Sequence, residues 1–383
     1  VCFMLFKDIL GHEHLKNHLI QSASNKRNAH SQLFIGPEGS GALPLAVAYA
    51  RQIICNDNEN TQAPCHVKFN NLTHPDLHFV FPVAKTSKVK THPVSKMFLE
   101  EWRTMLKKQP YGNLFDWYSA LGMDNKQGQI GVDEAKYISK SLSLKSYEGG
   151  YKVMIIWMVE RMNIACANKL LKLLEEPPKN TVFILIAEDE EQIISTIKSR
   201  CQVLRIPPLS ENVIKNSLIQ NFQLPQNEAS KIAHQANGNY NKACDLMYQD
   251  SEDTQFEEWF VLWVRSAFKA KGNKAAIHDL ISWSDIIAKT GRETQKQFLH
   301  YCIHFFRQAL LLNYQANDLV FLETNVPKFE LEKFAPFVNG ANILDIYKEL
   351  EDAIYHIERN GNSKIILTDL SIKLTRLLHK KSA

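Results

Sequence analysis

Apolar runs long enough for buried strands alternate with helical patterns in the first half of the chain. The four runs are LFIG (33–36), HFVFPV (78–83), VMIIWMV (153–159) and TVFILIA (181–187). Apolar residues recur at helical spacing in 44–54 and 163–176, and Pro177 and Pro178 end the second helix. Strands that are apolar on both faces and alternate with helices predict an α/β domain, with a parallel sheet covered on both sides.

The chain after Pro207 and Pro208 has helical patterns throughout. Three short helices come first and long apolar-rich helices follow; in NILDIYKELEDAIYHIE (342–358) apolar residues repeat every three or four positions and form a stripe. The stripe is either the core of a helical bundle or a surface that packs on other subunits. These patterns predict three domains: an α/β domain at 1–208, a small helical domain at 209–250 and an all-α domain at 254–383.

A basic stretch interrupts the α/β pattern at about 85–129. Its first part, KTSKVKTHPVSK (85–96), has four lysines and no acid, and segments with helical and aromatic character follow. We interpret the stretch as an insertion in the α/β domain. It is either a solvated surface excursion or a contact with a phosphate backbone.

Composition limits the class of protein only broadly. The 383 residues are 45% hydrophobic and 22% charged, which fits a folded chain of two or three domains. The net charge of +4 neither requires nor excludes a nucleic-acid partner. Seven cysteines, scattered and odd in number, indicate a reducing compartment rather than a disulfide framework.

Membrane and export signals are weak in this sequence. No apolar run approaches about 18 residues, the length at which a membrane-spanning helix is considered. The apolar run at the start, in VCFMLFKDIL, is too short for a signal peptide. We therefore expect a soluble, cytoplasmic protein without a membrane partner.

The first strand leads into a broken phosphate-binding loop. The pattern G-x-x-x-x-G-K-[ST] is followed from Gly36 through Gly39 to Gly41, but Ala42 and Leu43 stand where lysine and a hydroxyl residue are required. The lysine supplies positive charge to the β- and γ-phosphates, and the hydroxyl holds Mg²⁺. The loop backbone could still cradle a phosphate, but without that counter-charge. We therefore expect no nucleotide cofactor on this chain.

Three segments together resemble the clamp-loader branch of the AAA+ ATPases. They are 6–41, 147–201 and 237–246, the last followed by 358–378, and their most specific parts are LLKLLEEPP and SRC. The resemblance covers nearly the whole chain except the insertion. It implies an AAA+ α/β domain, a helical lid and a helical collar. Such a chain is a subunit of the pentameric loader in a DNA polymerase III holoenzyme.

The same resemblance implies partners. They are other clamp-loader subunits, namely ATPase subunits that bind ATP and a delta-type subunit. Through the complex they also include a ring-shaped sliding clamp, which the loader opens and places on primed DNA. This chain would be a rigid partner in that hetero-oligomer.

Active members of this family hold phosphate chemistry at four places, and all four are changed here. The glycine loop is the first. The acidic pair that ends the 153–159 strand is replaced by Trp157 and Met158, and Glu160 lies two residues too far along to be more than a poor substitute. The missing carboxylates would carry the metal and polarise the attacking water.

The two remaining changes lie further along the chain. Ala187 and Glu188 stand where the next strand would end in a polar sensor. Asn241, with Lys242 beside it, stands in the position of the lid arginine. Losing these charges removes most of what such an enzyme supplies to a transferring phosphoryl group, so we predict no ATP hydrolysis by this chain.

Arg200, in the triplet Ser199-Arg200-Cys201, keeps a functional residue of the family. The resemblance implies that this arginine projects into the nucleotide site of a neighbouring subunit and stabilises charge on the γ-phosphate in trans. A guanidinium suits that role because it is always charged and offers a planar fork of donors. The alternative is a surface or salt-bridging arginine.

A zinc site is a separate hypothesis. Members of the family often carry four zinc-binding cysteines after the loop helix, whereas here only Cys55 and Cys65 remain, with His66 and His74 nearby. A structural site needs four N or S ligands. Adjacent Cys65 and His66 would have to converge on one ion, so we expect a module that has lost its ligands and holds no metal.

Two other functions stay open at this point. The chain could itself be an ATP-hydrolysing motor subunit of the loader, which the changed positions oppose. It could also be a stand-alone DNA-binding protein that uses the lysines of 85–96, which the modest net charge opposes.

Overall fold

The chain folds into two compact units. The computed structural model describes residues 5–55, 63–123, 127–147, 150–247, 252–270, 273–320, 322, 324 and 326–380. The described residues up to Met247 form one unit, and those after it form the second. Part of the predicted insertion, 124–126, lies outside the described residues.

A five-stranded parallel sheet organises the first unit. Its strands are β1 (Ser31–Ile35), β2 (Leu77–Val80), β3 (Lys152–Trp157), β4 (Thr181–Ala187) and β5 (Gln202–Arg205), in the order β2-β3-β4-β1-β5. All neighbouring strands pair in parallel, and Ile35 lies opposite Ala187 on one side and Arg205 on the other. The predicted parallel sheet is confirmed.

Helices cover both faces of this sheet. The helices of the first unit are α1 (Glu13–Ser24), α2 (Ala42–Cys55), α3 (Pro64–Asn70), α4 (Leu99–Lys108), α5 (Leu114–Ala120), α6 (Val132–Ser143), α7 (Ile164–Glu175), α8 (Ser195–Lys198), α9 (Glu211–Phe222), α10 (Gln226–Ala236) and α11 (Tyr240–Met247). Alternate strand residues point to opposite faces. One core therefore gathers residues from α1, α2, α4 and α5, and the other gathers residues from α6 and α7.

The insertion is part of the core, so the interpretation as a solvated excursion was wrong for α4 and α5. Trp102 and Trp117 are fully buried. The Trp102 ring stacks on Phe81 with centroids 4.3 Å apart, and Trp117 meets Phe81 edge-on at 4.8 Å. Burial of two indoles is a large apolar contribution to the fold. The lysine-rich segment before α4 is more exposed.

The predicted lid, α9 to α11, belongs to the first unit. Its small core is built on Ile214, Leu218 and Ala233. Leu10 from the start of the chain and Tyr111 from the insertion pack against that core. The lid is therefore joined to the α/β domain by side chains from two other segments.

The second unit is all-helical, as predicted. Its helices are α12 (Glu252–Lys269), α13 (Lys274–Ala288), α14 (Arg292–Asn313), α15 (Leu331–Phe334), α16 (Ile343–Glu358) and α17 (Ser363–Leu377). In the apolar stripe, Ile346, Leu350 and Ile357 are buried in the bundle core, whereas Tyr347 is largely exposed. The core interpretation of the stripe is thus confirmed for these three residues.

Short 3₁₀ turns complete the described elements: Phe6–Asp8, Ser95–Phe98, Val159–Arg161, Asn317–Leu319 and Ala335–Phe337. Among the described residues, none of the helices combines the length and the apolar character that crossing a membrane requires.

Candidate functional site

The glycine loop lies between β1 and α2, as the sequence predicts. The Gly36 N–H donates to the Ala187 carbonyl at 3.1 Å, which fixes the loop to the carboxyl end of β4. Gly39 and Gly41 have φ angles of +68° and +95°, a region that L side chains rarely adopt. The chain then enters α2 at Ala42. The strand, loop and helix of a phosphate-binding site are therefore present.

The chain's own residues cover this loop. A Cβ atom on Gly39 would lie 1.8 Å from Oδ1 of Asn239, and the Gly39 carbonyl accepts from Tyr240 N at 3.2 Å. A Cβ atom on Gly41 would lie 2.9 Å from the ring of Tyr111. The glycines that let a phosphate loop approach its ligand closely thus contact the lid and the insertion instead.

Polar side chains hold this cover in place. Glu38 Oε1 accepts from Nδ2 of Asn113 and from Nδ2 of Asn239, each at 3.0 Å. Asp116 Oδ2 accepts from Nδ2 of Asn241 at 2.9 Å and from the Asn113 backbone N at 2.8 Å. The loop, the insertion and the lid are therefore joined by one hydrogen-bonded cluster. Asn241, the residue predicted to stand in place of a lid arginine, is buried within it.

The titratable groups that contact the loop and its cover include carboxyl groups and an imidazole. Burial raises the pKa of Asp116, and the Glu38 carboxyl raises it further, while hydrogen bonds from Asn113 and Asn241 lower it. His12 Nε2 lies 2.8 Å from the Ser40 carbonyl, and burial lowers the pKa of His12. The ring is then neutral at pH 7 and donates from Nε2 to that carbonyl.

Apolar side chains lie at the end of β3, where the resemblance predicts that active members have an acidic pair. Trp157 ends β3, and its ring lies 5.2 Å from that of Trp102 in the core of the insertion. Met158 is also buried. Glu160 Oε1 accepts from Glu188 N at 3.0 Å, so this carboxyl group binds the backbone that follows β4. Burial raises the pKa of Glu160. Its observed role is structural.

The Ser199-Arg200-Cys201 triplet lies between α8 and β5. Arg200 Nε donates to Glu175 Oε1 at 2.6 Å, and Nη2 lies 2.5 Å from the same oxygen. Nη1 donates to the Thr196 carbonyl at 3.0 Å and to Ser199 Oγ at 3.2 Å. Burial raises the pKa of the Cys201 thiol to about 11, so this thiol stays protonated at pH 7.

Sequence reasoning missed the contact between Glu175 and Arg200. Glu175 belongs to LLKLLEEPP and Arg200 to SRC, so the structure joins the two most specific parts of the family signature. The two residues are 25 positions apart, and no local pattern links them. Only the presence of both motifs in one chain could have suggested their contact.

Two of the four candidate zinc ligands are bonded to each other in the structure. Cys55 and Cys65 form a disulfide, with Cα atoms 5.7 Å apart, and bonded sulfurs are not thiolate ligands. This pair also corrects the expectation of cysteines without disulfides. His66 Nδ1 accepts from Arg51 Nε at 3.2 Å, while His74 lies beside the two sulfurs. The ligand atoms of Cys55, Cys65 and His74 lie within 4.8 Å of one another, and His66 is not part of this group. The expectation that the chain holds no metal stays a prediction.

The remaining described cysteines, Cys166, Cys201, Cys244 and Cys302, are free thiols. Cys2 lies outside the described residues.

The fold and the loop define the class of protein: a P-loop-type α/β domain with a helical lid and a helical second unit, in which the loop is covered. The family model described as DNA polymerase III, delta subunit matches residues 11–210. The chain therefore belongs to this family and is of the delta-prime type. The predicted clamp-loader membership is confirmed by this match.

Individual relatives are similar over part of their length. DNA polymerase III subunit delta' of Bacillus subtilis (strain 168) is 28% identical over 237 residues, which are 61% of this chain and 58% of the relative. Subunit delta' of Pseudomonas aeruginosa is 28% identical over 185 residues, 47% of this chain and 44% of the relative. The matched stretches thus span less than two thirds of these relatives.

A solved structure of a DNA polymerase III gamma subunit-related protein from Thermotoga maritima is similar at a TM-score of 0.39. It is 14% identical, and the alignment covers 94% of this chain and 99% of that chain.

Proposed function

We propose that this chain is a non-hydrolysing subunit of a replicative clamp loader. The observation that carries the proposal is the covered loop, where Tyr111 contacts Gly41 and Asn239 contacts Gly39. Hydrolysis of a nucleoside triphosphate depends on positioning and on positive charge around the transferring phosphoryl group. Here the loop is followed by Ala42 and Leu43, and the carboxyl groups of Glu38 and Asp116 lie in its cover.

Arg200 is the residue with which the chain acts on a neighbour in this proposal. Arg205 lies opposite Ile35, the last residue of β1, and β5 runs parallel to β1. Arg200 precedes β5, so its backbone lies roughly 10 Å or more from the glycine loop along the strand direction, at about 3.3 Å per strand residue. Arg200 thus lies near the amino ends of the strands, whereas the glycine loop lies at their carboxyl ends. From there it is better placed to contact a nucleotide bound by another subunit than one bound at the loop of its own chain.

The partners follow from the same proposal. They are ATP-binding subunits and a delta-type subunit of the loader, with the sliding clamp and primed DNA reached through the complex. The relatives from Bacillus subtilis are described as subunits delta' and tau of DNA polymerase III, which supports an assembly of this kind. The chain itself then needs no bound nucleotide.

A nucleotide titration of the purified chain tests the non-hydrolysing role. We expect no saturable binding of a fluorescent ATP analogue up to about 1 mM, which corresponds to less than about 4 kcal/mol of binding free energy. We also expect no release of phosphate from ATP. Turnover that disappears when Gly39 is replaced by Val would identify the chain as a motor subunit instead.

A further inference from the structure

Most of the N–H groups of Arg200 contact acceptors in its own chain. A guanidinium has five N–H groups. Glu175 Oε1 takes the Nε–H and one hydrogen of Nη2, while the Thr196 carbonyl and Ser199 Oγ lie within reach of the two hydrogens of Nη1. One N–H of Nη2 is left by these contacts.

The acceptors come from two helices. Glu175 is the last residue of α7, and Pro177 and Pro178 prevent the helix from continuing. Thr196 belongs to α8, the short helix immediately before the triplet. The guanidinium therefore bridges the ends of α7 and α8 through one backbone carbonyl and two side-chain oxygens.

The ion pair between Arg200 and Glu175 is too exposed to hold the arginine in one fixed position. The side chain of Arg200 is 35% exposed and that of Glu175 is 48% exposed. Exposed pairs of this kind contribute little stability and weaken with salt. Such a contact favours one rotamer of a long side chain without preventing the arginine from meeting a stronger anion.

We propose that Glu175 is a positioning residue for Arg200. It orders the guanidinium before the neighbouring subunit docks and leaves an Nη2 N–H for the γ-phosphate of a nucleoside triphosphate bound there. This inference rests on the proposed trans role of Arg200. Ordering a flexible side chain in advance lowers the entropy that is lost when it binds. For one such side chain this corresponds to a factor of about 2 to 12 in binding.

The test uses the loader reconstituted with its ATP-binding subunits. The variants are Glu175→Ala, which removes the acceptor, and Glu175→Gln, which keeps an acceptor oxygen without the charge. Glu176→Ala is the matched control, because Glu176 is also an exposed acid at the end of α7. We expect Glu175→Ala to lower kcat for ATP about 3- to 10-fold with KM unchanged, and Glu175→Gln to restore at least half of the loss.

A double variant separates positioning from a general structural effect. Glu175→Ala added to Arg200→Ala should lower kcat no further, because the acid acts only through the arginine. A further loss in the double variant, a rise in kcat with Glu175→Ala, or an unchanged kcat with that variant alone would each overturn the inference. If Arg200→Ala itself leaves kcat unchanged, the proposed trans role fails first and this inference falls with it.

Discussion

Asn241 of the lid donates a hydrogen bond of 2.9 Å to the Asp116 carboxylate of the insertion. This contact joins the lid to the insertion of the α/β domain.

Loss of Asp116 should loosen this junction. Asp116→Ala leaves the Nδ2 group of Asn241 and the backbone N of Asn113 without their acceptor, which we expect to lower the free energy of unfolding by about 1–3 kcal/mol. Urea denaturation followed by circular dichroism measures this. Glu228→Ala, an exposed acid on α10, is the control and should change stability by less than about 0.5 kcal/mol. Equal losses of stability in the two variants would contradict the proposal that Asp116 holds the lid to the insertion.

Restoring the lysine and hydroxyl alone should not restore nucleotide binding. With Ala42→Lys and Leu43→Thr, Tyr111 and Asn239 still contact the loop glycines, so we expect no measurable affinity for a fluorescent ATP analogue. Adding Tyr111→Ala and Asn239→Ala should tighten binding at least tenfold, a change of about 1.4 kcal/mol. Tyr314→Ala, an exposed tyrosine of the second unit, is the control for the added substitutions. Tight binding by the first double variant would show that the cover does not matter.

The insertion should prove essential to the fold. Trp102 is fully buried against Phe81, Trp117 and Trp157, so Trp102→Ala is expected to cost about 3–5 kcal/mol of stability. Met97, in the turn just before α4, is 52% exposed, and Met97→Ala should cost less than about 0.5 kcal/mol. Chemical denaturation of both variants measures these two losses of stability. A similar small loss in each would mean that α4 is peripheral.

A buried carboxyl group should make stability depend on pH. Burial raises the pKa of Glu134 to about 7, while a hydrogen bond from Ser95 N at 2.9 Å lowers it in part. The unfolded chain ionises this group near 4.5, so the folded state holds the proton more tightly. The contribution of this group to stability is therefore fully present below about pH 4.5 and is lost as pH rises through about 7, a change of up to about 3 kcal/mol.

Glu134→Gln removes the ionisable group and should flatten this dependence between about pH 4.5 and pH 7, the range in which we expect the loss. Denaturation midpoints at several pH values for the wild type and the variant give the comparison. An identical pH profile in both proteins would show that another group is responsible.

The sheet and the loop were predictable because their signals are local. The predicted apolar runs supply most of β1, β3 and β4 and have buried side chains, and Gly36 to Gly41 follows β1 directly. β5 was not predicted, because its sequence QVLR mixes polar and apolar residues. This strand lies at the edge of the sheet, and its first and last residues are exposed.

The contacts that complete the site were not predictable from local patterns. Glu38 and Asn239 are 201 positions apart, and Asp116 and Asn241 are 125 apart. The lysines of 85–96 led us to interpret the insertion as a solvated surface segment. The tryptophans that follow them are instead buried in the core. The departure from the phosphate-binding pattern at Ala42 and Leu43 was visible in the sequence, but the contacts that cover the loop were not.

The proposed trans role of Arg200 has the most direct test. Loader complexes assembled with wild-type chain, Arg200→Ala or Arg200→Lys are compared in single-turnover ATP hydrolysis, with assembly checked by gel filtration. We expect intact assembly in all three. Hydrolysis at the neighbouring site should fall at least about tenfold with alanine, and lysine should restore little, because it lacks the planar fork. Hydrolysis at the wild-type rate in the assembled Arg200→Ala complex would contradict the account.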